Sequence, residues 1–234
     1  MDQTTTFDFM QGEVLLIDKP LKWTSFDVVN KVRWLIKSKL KITTKVGHAG
    51  TLDPLASGLL ILCTGKLTKQ INTYQDQEKE YTGTFYLGAT TPSFDLETEV
   101  NEQFPIHSIS EQNILEATSQ FTGTIQQVPP LFSAKRILGE RAYEKARRGE
   151  TMEIQAREVT IKEFEITSIQ LPEIHFRVVC TKGTYIRSLA RDFGKALGNG
   201  AYLKALCRTR IGEFNLKNAM EMDAFESLIY PQEA

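Results

Sequence analysis

One twelve-residue segment, GHAGTLDPLASG at positions 47–58, holds three glycines, a proline, a histidine and a single carboxylate, Asp53. That is more conformational control than an incidental surface turn requires. Pro54 fixes its own φ and restricts Asp53 to an extended conformation, which points the carboxylate in a defined direction. A carboxylate held in this way can act as a nucleophile or as a proton acceptor without metal or cofactor. The same pattern suits a structural turn equally well, with Asp53 capping neighbouring amides, because Asp before Pro is common in turns. A phosphate cradle is the weaker reading. The segment lacks the Gly-Lys-Ser/Thr ending that supplies charge and a magnesium ligand.

The neighbouring elements must hold that segment in place. Residues 14–17 form a short apolar run ended by Pro20, as in a buried strand. Thr24 and Ser25 can cap a helix in which Val28, Val29, Val32, Leu35 and Ile36 recur at helical spacing, while Lys31, Arg33, Lys37 and Lys39 project elsewhere. Residues 47–58 read as a loop and 59–63 as the strand leaving it, which places Asp53 on a loop braced by a core strand. Further on, 80–87 has β-type composition with Tyr81, Phe85 and Leu87 on one side, and Ser108 with Glu111 forms a candidate capping box for a helix reaching Phe121. Residues 127–150 carry two prolines near their start and are rich in Lys and Arg, which suits an extended arm with a short helix around 140–148. Strands near 159–169 and 174–180 precede a helix with the apolar stripe Ile186, Leu189, Ala190, Phe193 and Leu197. Arg187, Arg191 and Lys195 recur every fourth residue on one side of it.

With 234 residues and 41% hydrophobic content, the chain can bury a substantial core and reads as one domain spanning 1–234. Its formal net charge of -1 hides a segregation. The windows 31–45, 135–148 and 177–210 hold 20 of the 28 basic residues and only 3 of the 29 acidic ones. Clustered cations supply the local potential a phosphate backbone needs, and an acidic remainder limits indiscriminate binding. The plainer alternative is a set of ordinary solvated faces. Cys63, Cys180 and Cys207 are far apart and odd in number, so they read as reduced, buried thiols of a cytosolic protein. The beginning lacks a basic end followed by an apolar run, and no stretch approaches a membrane span. The expectation is a soluble cytoplasmic protein that needs no membrane, no cofactor, no metal and no obligate protein partner.

GHAGTLDPLASGLLILCTGKLTK resembles the catalytic segment of the TruB family of tRNA pseudouridine synthases, usually seen as GHxGTLDPxAxGxL. VLLIDKPLKWTSFDVV is similar to that family's N-terminal segment, and KEYTGTFYLGATTPSFDLE to its tyrosine-bearing strand. QVPPLFSAKRILGERAYEKARRGE looks like its RNA-gripping arm, and CTKGTYIRSLARDFGKALGNGAYLKALCRTRIGEF like the segment that completes its active site. The five blocks stand in family order from about Val14 to Phe214.

The resemblance implies a mixed α/β (α+β) pseudouridine synthase fold, with a largely antiparallel sheet flanked by helices. It also implies a reaction on the T-loop uridine of tRNA: the N-glycosidic bond is broken, the freed uracil turns in the pocket, and it is rejoined through carbon 5. Asp53 is then the essential carboxylate. Because the base must leave the stack, the pocket needs an apolar or aromatic face and cations for the deformed backbone. By match to the family, Tyr81 stacks on the flipped base with Leu206 packing near it, and Tyr185 and Arg187 lie beside Asp53, Arg187 keeping it ionised. His48 shapes the bound RNA loop, Lys19 and Asp95 position RNA or active-site groups, and Arg147 and Arg148 belong to the arm.

Read without the resemblance, the same residues have plainer meanings. Tyr81 and Leu206 are core side chains, Arg187 an exposed arginine on a basic helix, His48 a structural hydrogen-bonding group, and Lys19 and Asp95 surface residues. Departures from the family pattern are Ala49 and Ser57, both where threonine is usual or commoner, and Lys22 where glycine is frequent. None removes a catalytic group. Many family members carry a further C-terminal RNA-binding domain, whereas here 208–234 is expected to form only a short C-terminal element. Two alternatives follow: an RNA-binding module that remodels tRNA, which has no need of the set Asp53, Tyr81, Tyr185 and Arg187, and a synthase of this family acting on another RNA.

Overall fold

The computed structural model describes residues 7–132, 136–137, 140–141 and 154–229. Along the first part of the chain run β1 (Val14–Lys19), α1 (Ser25–Leu40), β2 (Val46–His48), β3 (Ala56–Thr64), α2 (Ile71–Gln75), β4 (Lys79–Leu87), β5 (Ala89–Thr90), β6 (Glu102–Gln103) and α3 (Glu111–Ser119). There follow β7 (Gly123–Gln127), β8 (Arg136–Ile137), β9 (Glu140–Arg141), β10 (Arg157–Gln170), β11 (Glu173–Cys180), α4 (Ile186–Ala196), β12 (Ala201–Ile211), β13 (Phe214–Asn215) and α5 (Met222–Leu228). These residues cluster into two compact units, Met1–Glu80 with Cys207–Ala234, and Tyr81–Leu206.

In the first unit β1 and β3 pair antiparallel from Val14↔Cys63 to Lys19↔Gly58. The apolar stripe of α1 covers Leu15, Ile17, Leu60 and Leu62, and Phe9, Met222, Phe225 and Ile229 complete that cluster. Leu59, Ile61 and Cys63, alternating with them on β3, enter a second cluster with Ala49 and Ile211. The strand is therefore buried on both faces, which is why its sequence is a continuous apolar run rather than an alternating one. Thr24 caps α1 through a reciprocal box with Asp27, as the sequence indicates. The expected 47–58 loop is shorter than its glycines suggest. Val46, Gly47 and His48 pair with Thr64, Cys63 and Leu62 as β2, and β3 begins at Ala56, so the irregular stretch is 49–55.

In the second unit the strand order is β4-β11-β10-β7, and Phe85, Phe121, Phe164, Phe176 and Phe193 form an aromatic core in which Phe85 and Phe176 stack at 4.1 Å. Phe193 brings α4 onto that core. The register pairs β7/β10 and β10/β11 are antiparallel, as are β1/β3, β2/β3, β5/β6, β8/β9 and β12/β13. The expected mixed fold with a largely antiparallel sheet is thus present. Two local readings need correcting. The α3 capping box uses Ser110 and Asn113, not Ser108 and Glu111, because the Ser110 hydroxyl accepts from Asn113 N and the Asn113 side chain accepts from Ser110 N. The helix expected around 140–148 does not begin at Glu140, since Glu140–Arg141 pairs with Arg136–Ile137 as a small hairpin, and 142–150 lies outside the described residues.

Candidate active site

Asp53 sits half-buried on a loop fastened at several points within the first unit. The Ser25 hydroxyl, at the start of α1, accepts from Leu52 N at 2.8 Å and donates to Leu52 O at 3.2 Å. Lys22 N donates to Pro54 O at 2.7 Å, and Ala56 N to Asp53 O at 3.1 Å. Gly50 and Gly58 bracket the loop with φ +107 and +101. These bonds on both sides of Asp53 leave its backbone little freedom, so the carboxylate direction is set before any ligand arrives.

Two buried cations surround this loop. Lys19, which ends β1, has 0% exposure, and its ammonium donates to Pro20 O at 2.9 Å and Trp23 O at 2.6 Å. Burial lowers its pKa to about 8, the Asp53 carboxylate pulling it back up and Arg208 pushing it down further. Arg208, on β12, is 1% exposed and donates from Nε to Leu59 O at 2.8 Å and from Nη2 to Gly50 O at 3.2 Å. It ties Gly50, near the start of the loop, to the strand after it. His48 is held below its ordinary pKa by burial and by the Arg208 charge, with a backbone hydrogen bond to Gly50 opposing, and its Nδ1 is buried with no hydrogen-bond partner. A histidine kept neutral suits a space-filling group better than a carrier of the key proton.

In the second unit Arg187 is 4% exposed, in the first turn of α4, not on a solvated basic side. Its Nε lies 3.5 Å from Asp95 Oδ2, and Nη1 donates to Ser93 O at 3.3 Å. Asp95 is itself 5% exposed. Its carboxylate accepts from Glu97 N at 2.9 Å, and its carbonyl from the hydroxyls of Thr91 and Ser93. The burial of Lys19 and Asp95 removes the surface placement. Tyr81 is buried on β4, Leu206 is half-buried on β12, and Tyr185 is the half-buried N-cap of α4. Arg147 and Arg148 lie outside the described residues.

Sequence reasoning missed Arg208 and the Asp95–Arg187 pairing. The only signal for Arg208 was the apolar and polar alternation of CRTRI, which marks a strand but not which cation faces inward. Cys63 and Cys180 are buried thiols as expected, whereas Cys207 is only half-buried. Among the described residues no group of His, Cys, Asp or Glu side chains is arranged to hold a metal ion, and no helix is long and apolar enough to cross a membrane.

The largely antiparallel mixed sheet flanked by helices is that of the pseudouridine synthase fold, which solved structures share. The chain aligns over 94% of its length with a chain of a Cbf5–Nop10–Gar1 complex, at TM-score 0.71 and 30% identity, covering 54% of that chain. It aligns equally far with a chain of an H/ACA RNP bound to a substrate RNA containing 2'-deoxyuridine, at TM-score 0.67 and 28% identity, again covering 54%. The chain thus spans about half the length of those two. Residues 37–186 match the TruB family pseudouridylate synthase N-terminal domain, and 187–234 match the tRNA pseudouridylate synthase B C-terminal domain. The tRNA pseudouridine synthase B of Flavobacterium johnsoniae is 58% identical over 95% of this chain and 98% of its own. That of Phocaeicola vulgatus is 52% identical over 97% of both. The chain belongs to the TruB family of pseudouridylate synthases. The boundary between the two family matches falls at the start of α4.

Proposed function

We propose that this chain isomerises the T-loop uridine of tRNA to pseudouridine, with Asp53 as the essential carboxylate and no cofactor, in the cytoplasm. The observation that carries the reading is the immobilised Asp53 loop, pinned by Ser25, Lys22 and Ala56 and flanked by the buried cations Lys19 and Arg208. Uridine isomerisation in tRNA follows from family membership and from relatives of 50–58% identity that match along nearly their whole length.

A flipped uridine presents its anomeric carbon and the adjacent C2′–H to the carboxylate. Attack on the first, or removal of the proton from the second, weakens the N-glycosidic bond and frees uracil to turn and rejoin through C5. Either route uses the same group. By the family match, Tyr81 receives the displaced base with Leu206 beside it and assists the closing proton transfer. Arg187 serves to keep Asp53 ionised, Tyr185 belongs to the same site, and His48 shapes the RNA loop. Base flipping needs such an apolar receiving face because the unstacked base loses its neighbours.

The test is to incubate the purified protein with unmodified tRNA transcript and map pseudouridine chemically, beside Asp53→Asn. The wild type is expected to convert the T-loop uridine and the variant to leave it intact. An unmodified T loop with the wild type, or equal conversion by the variant, sinks the assignment. A wild type that refolds misfolded tRNA without modifying it points instead to an RNA-remodelling module.

A further inference from the structure

Gln127 and Arg157 are register partners across β7 and β10, so their side chains leave the same face of the pair. Both end on Tyr185. Gln127 is fully buried, and its amide makes a two-point contact with one residue's backbone: Oε1 accepts from Tyr185 N at 2.8 Å and Nε2 donates to Tyr185 O at 3.1 Å. Arg157 lies over the phenol ring, its guanidinium carbon 4.5 Å from the centroid.

The setting shows why these two side chains are needed. Tyr185 is the N-cap of α4, with φ -99 and ψ 111, and it makes no side-chain cap bond of its own. Its N–H has no partner inside the helix, and its carbonyl already accepts from Leu189 N at 3.0 Å. A primary amide offers both the donor and the acceptor that complete these two groups at once. On the ring side, the backbone at Gly183 has φ +85, and an added Cβ would stand 3.3 Å from the Arg157 guanidinium carbon. Arg157 Nε is buried without a hydrogen-bond partner. A guanidinium whose buried Nε forgoes a hydrogen bond while its carbon stays over a ring is placed for the ring.

We propose that Gln127 and Arg157 are positioning residues for Tyr185 in the isomerisation, Gln127 fixing its backbone and Arg157 its ring. The proposal rests on the reading of Tyr185 as an active-site group. Each residue handles a separate degree of freedom, so loss of either lets the phenol wander. Misplacement of that kind slows chemistry without weakening the grip on RNA.

The experiment measures single-turnover rate and tRNA Kd for Gln127→Met, Arg157→Met, Arg157→Lys, Tyr185→Leu and the Arg157→Met/Tyr185→Leu double variant, with Asp53→Asn as the inactive reference. Gln127→Met and Arg157→Met are expected to slow single turnover by about tenfold or more, with Kd within about twofold. Arg157→Lys should remain slow, because an ammonium keeps the charge but not the guanidinium's contact with the ring. In the Tyr185→Leu background Arg157→Met should cost little more, since its effect passes through the ring. Rescue by Lys with the loss in Kd, additive effects in the double variant, or wild-type rates in the single variants would each overturn the proposal. If Tyr185→Leu turns over normally while Asp53→Asn is dead, the reading of Tyr185 itself has failed. That pattern differs from a slow Tyr185→Leu beside unaffected Gln127 and Arg157 variants. Arg157, half-exposed, keeps the test decisive if Gln127→Met does not fold.

Discussion

Lys19 carries its charge at a cost that pH makes measurable. Its amine is fully buried, and its pKa falls from 10.5 to about 8, chiefly through burial and against the pull of Asp53. Between those two values the folded chain has released a proton that the unfolded chain still binds. Stability therefore rises with pH across the window, and the penalty is present in full below pH 8. Lys19→Met has no such proton. The difference in unfolding free energy between wild type and variant should shift by about 3 kcal/mol, in favour of the wild type, between pH 8 and 10.5. Urea unfolding at matched pH measures it, and two stability profiles that run parallel would remove Lys19 as the source. The constrained loop around Asp53 was legible in the sequence because its glycines and proline are local, although that pattern alone did not separate a reactive carboxylate from a turn residue. The pairing of Arg187 with Asp95 was not legible, because that carboxylate lies far back in the chain. Periodicity reports which side of a helix a residue is on, but not what waits there.

At the scale of elements, the Asp53 loop depends on how closely β3 and β12 approach. Gly58 opens that approach: at φ +101 an added Cβ would stand 2.4 Å from Arg208 O and 2.8 Å from Arg208 N, both backbone atoms that cannot swing away. Gly123 has nearly the same φ, +104, but nothing within 4 Å of where a Cβ would be. The pair separates conformational strain from collision. Gly123→Ala should cost about 1–2 kcal/mol from φ alone, and Gly58→Ala at least about 3 kcal/mol, since the strands must also move. Chemical denaturation of the two variants decides it, and equal losses would mean that the collision is relieved for free. Ser25→Ala is a gentler probe of the same region. It removes the hydroxyl bonded to Leu52 N and O and should lower the single-turnover rate more than stability, because the bonds it breaks orient the loop beside Asp53. A variant that loses stability but turns over normally would make that hydroxyl a purely structural fastening. The strands β1, β3, β4, β10 and β11 were readable from composition and alternation. The pairing of β2 with β3 was not, since Gly47 and His48 look like loop residues until Cys63 and Leu62 lie opposite them.

Across the whole molecule the balance of charge is near neutral, and affinity for RNA must come from its uneven placement. Twenty of 28 basic residues fall in three windows with only three acidic ones, a pattern plain in the sequence because it needs no three-dimensional knowledge. What each cation does is less plain: Lys31 is paired with Glu226 at 2.8 Å, Arg187 and Arg208 are buried, and Arg191 is paired with Asp192. Several of the clustered charges thus serve the scaffold, and among the remaining ones Arg147 and Arg148 of the 135–148 window are proposed to grip phosphate. Each phosphate neutralised adds about 0.7–0.9 to the slope of log affinity against log salt. Arg147→Gln/Arg148→Gln should therefore weaken tRNA binding at low salt and reduce that slope by about 1–2, while single turnover at saturating RNA stays within about twofold of wild type. Filter binding at several salt concentrations, beside single-turnover assays at saturation, tests both halves. An unchanged slope would take the arm out of the binding surface, and a large loss of rate at saturation would mean that these arginines act on the reacting uridine rather than on the backbone that delivers it.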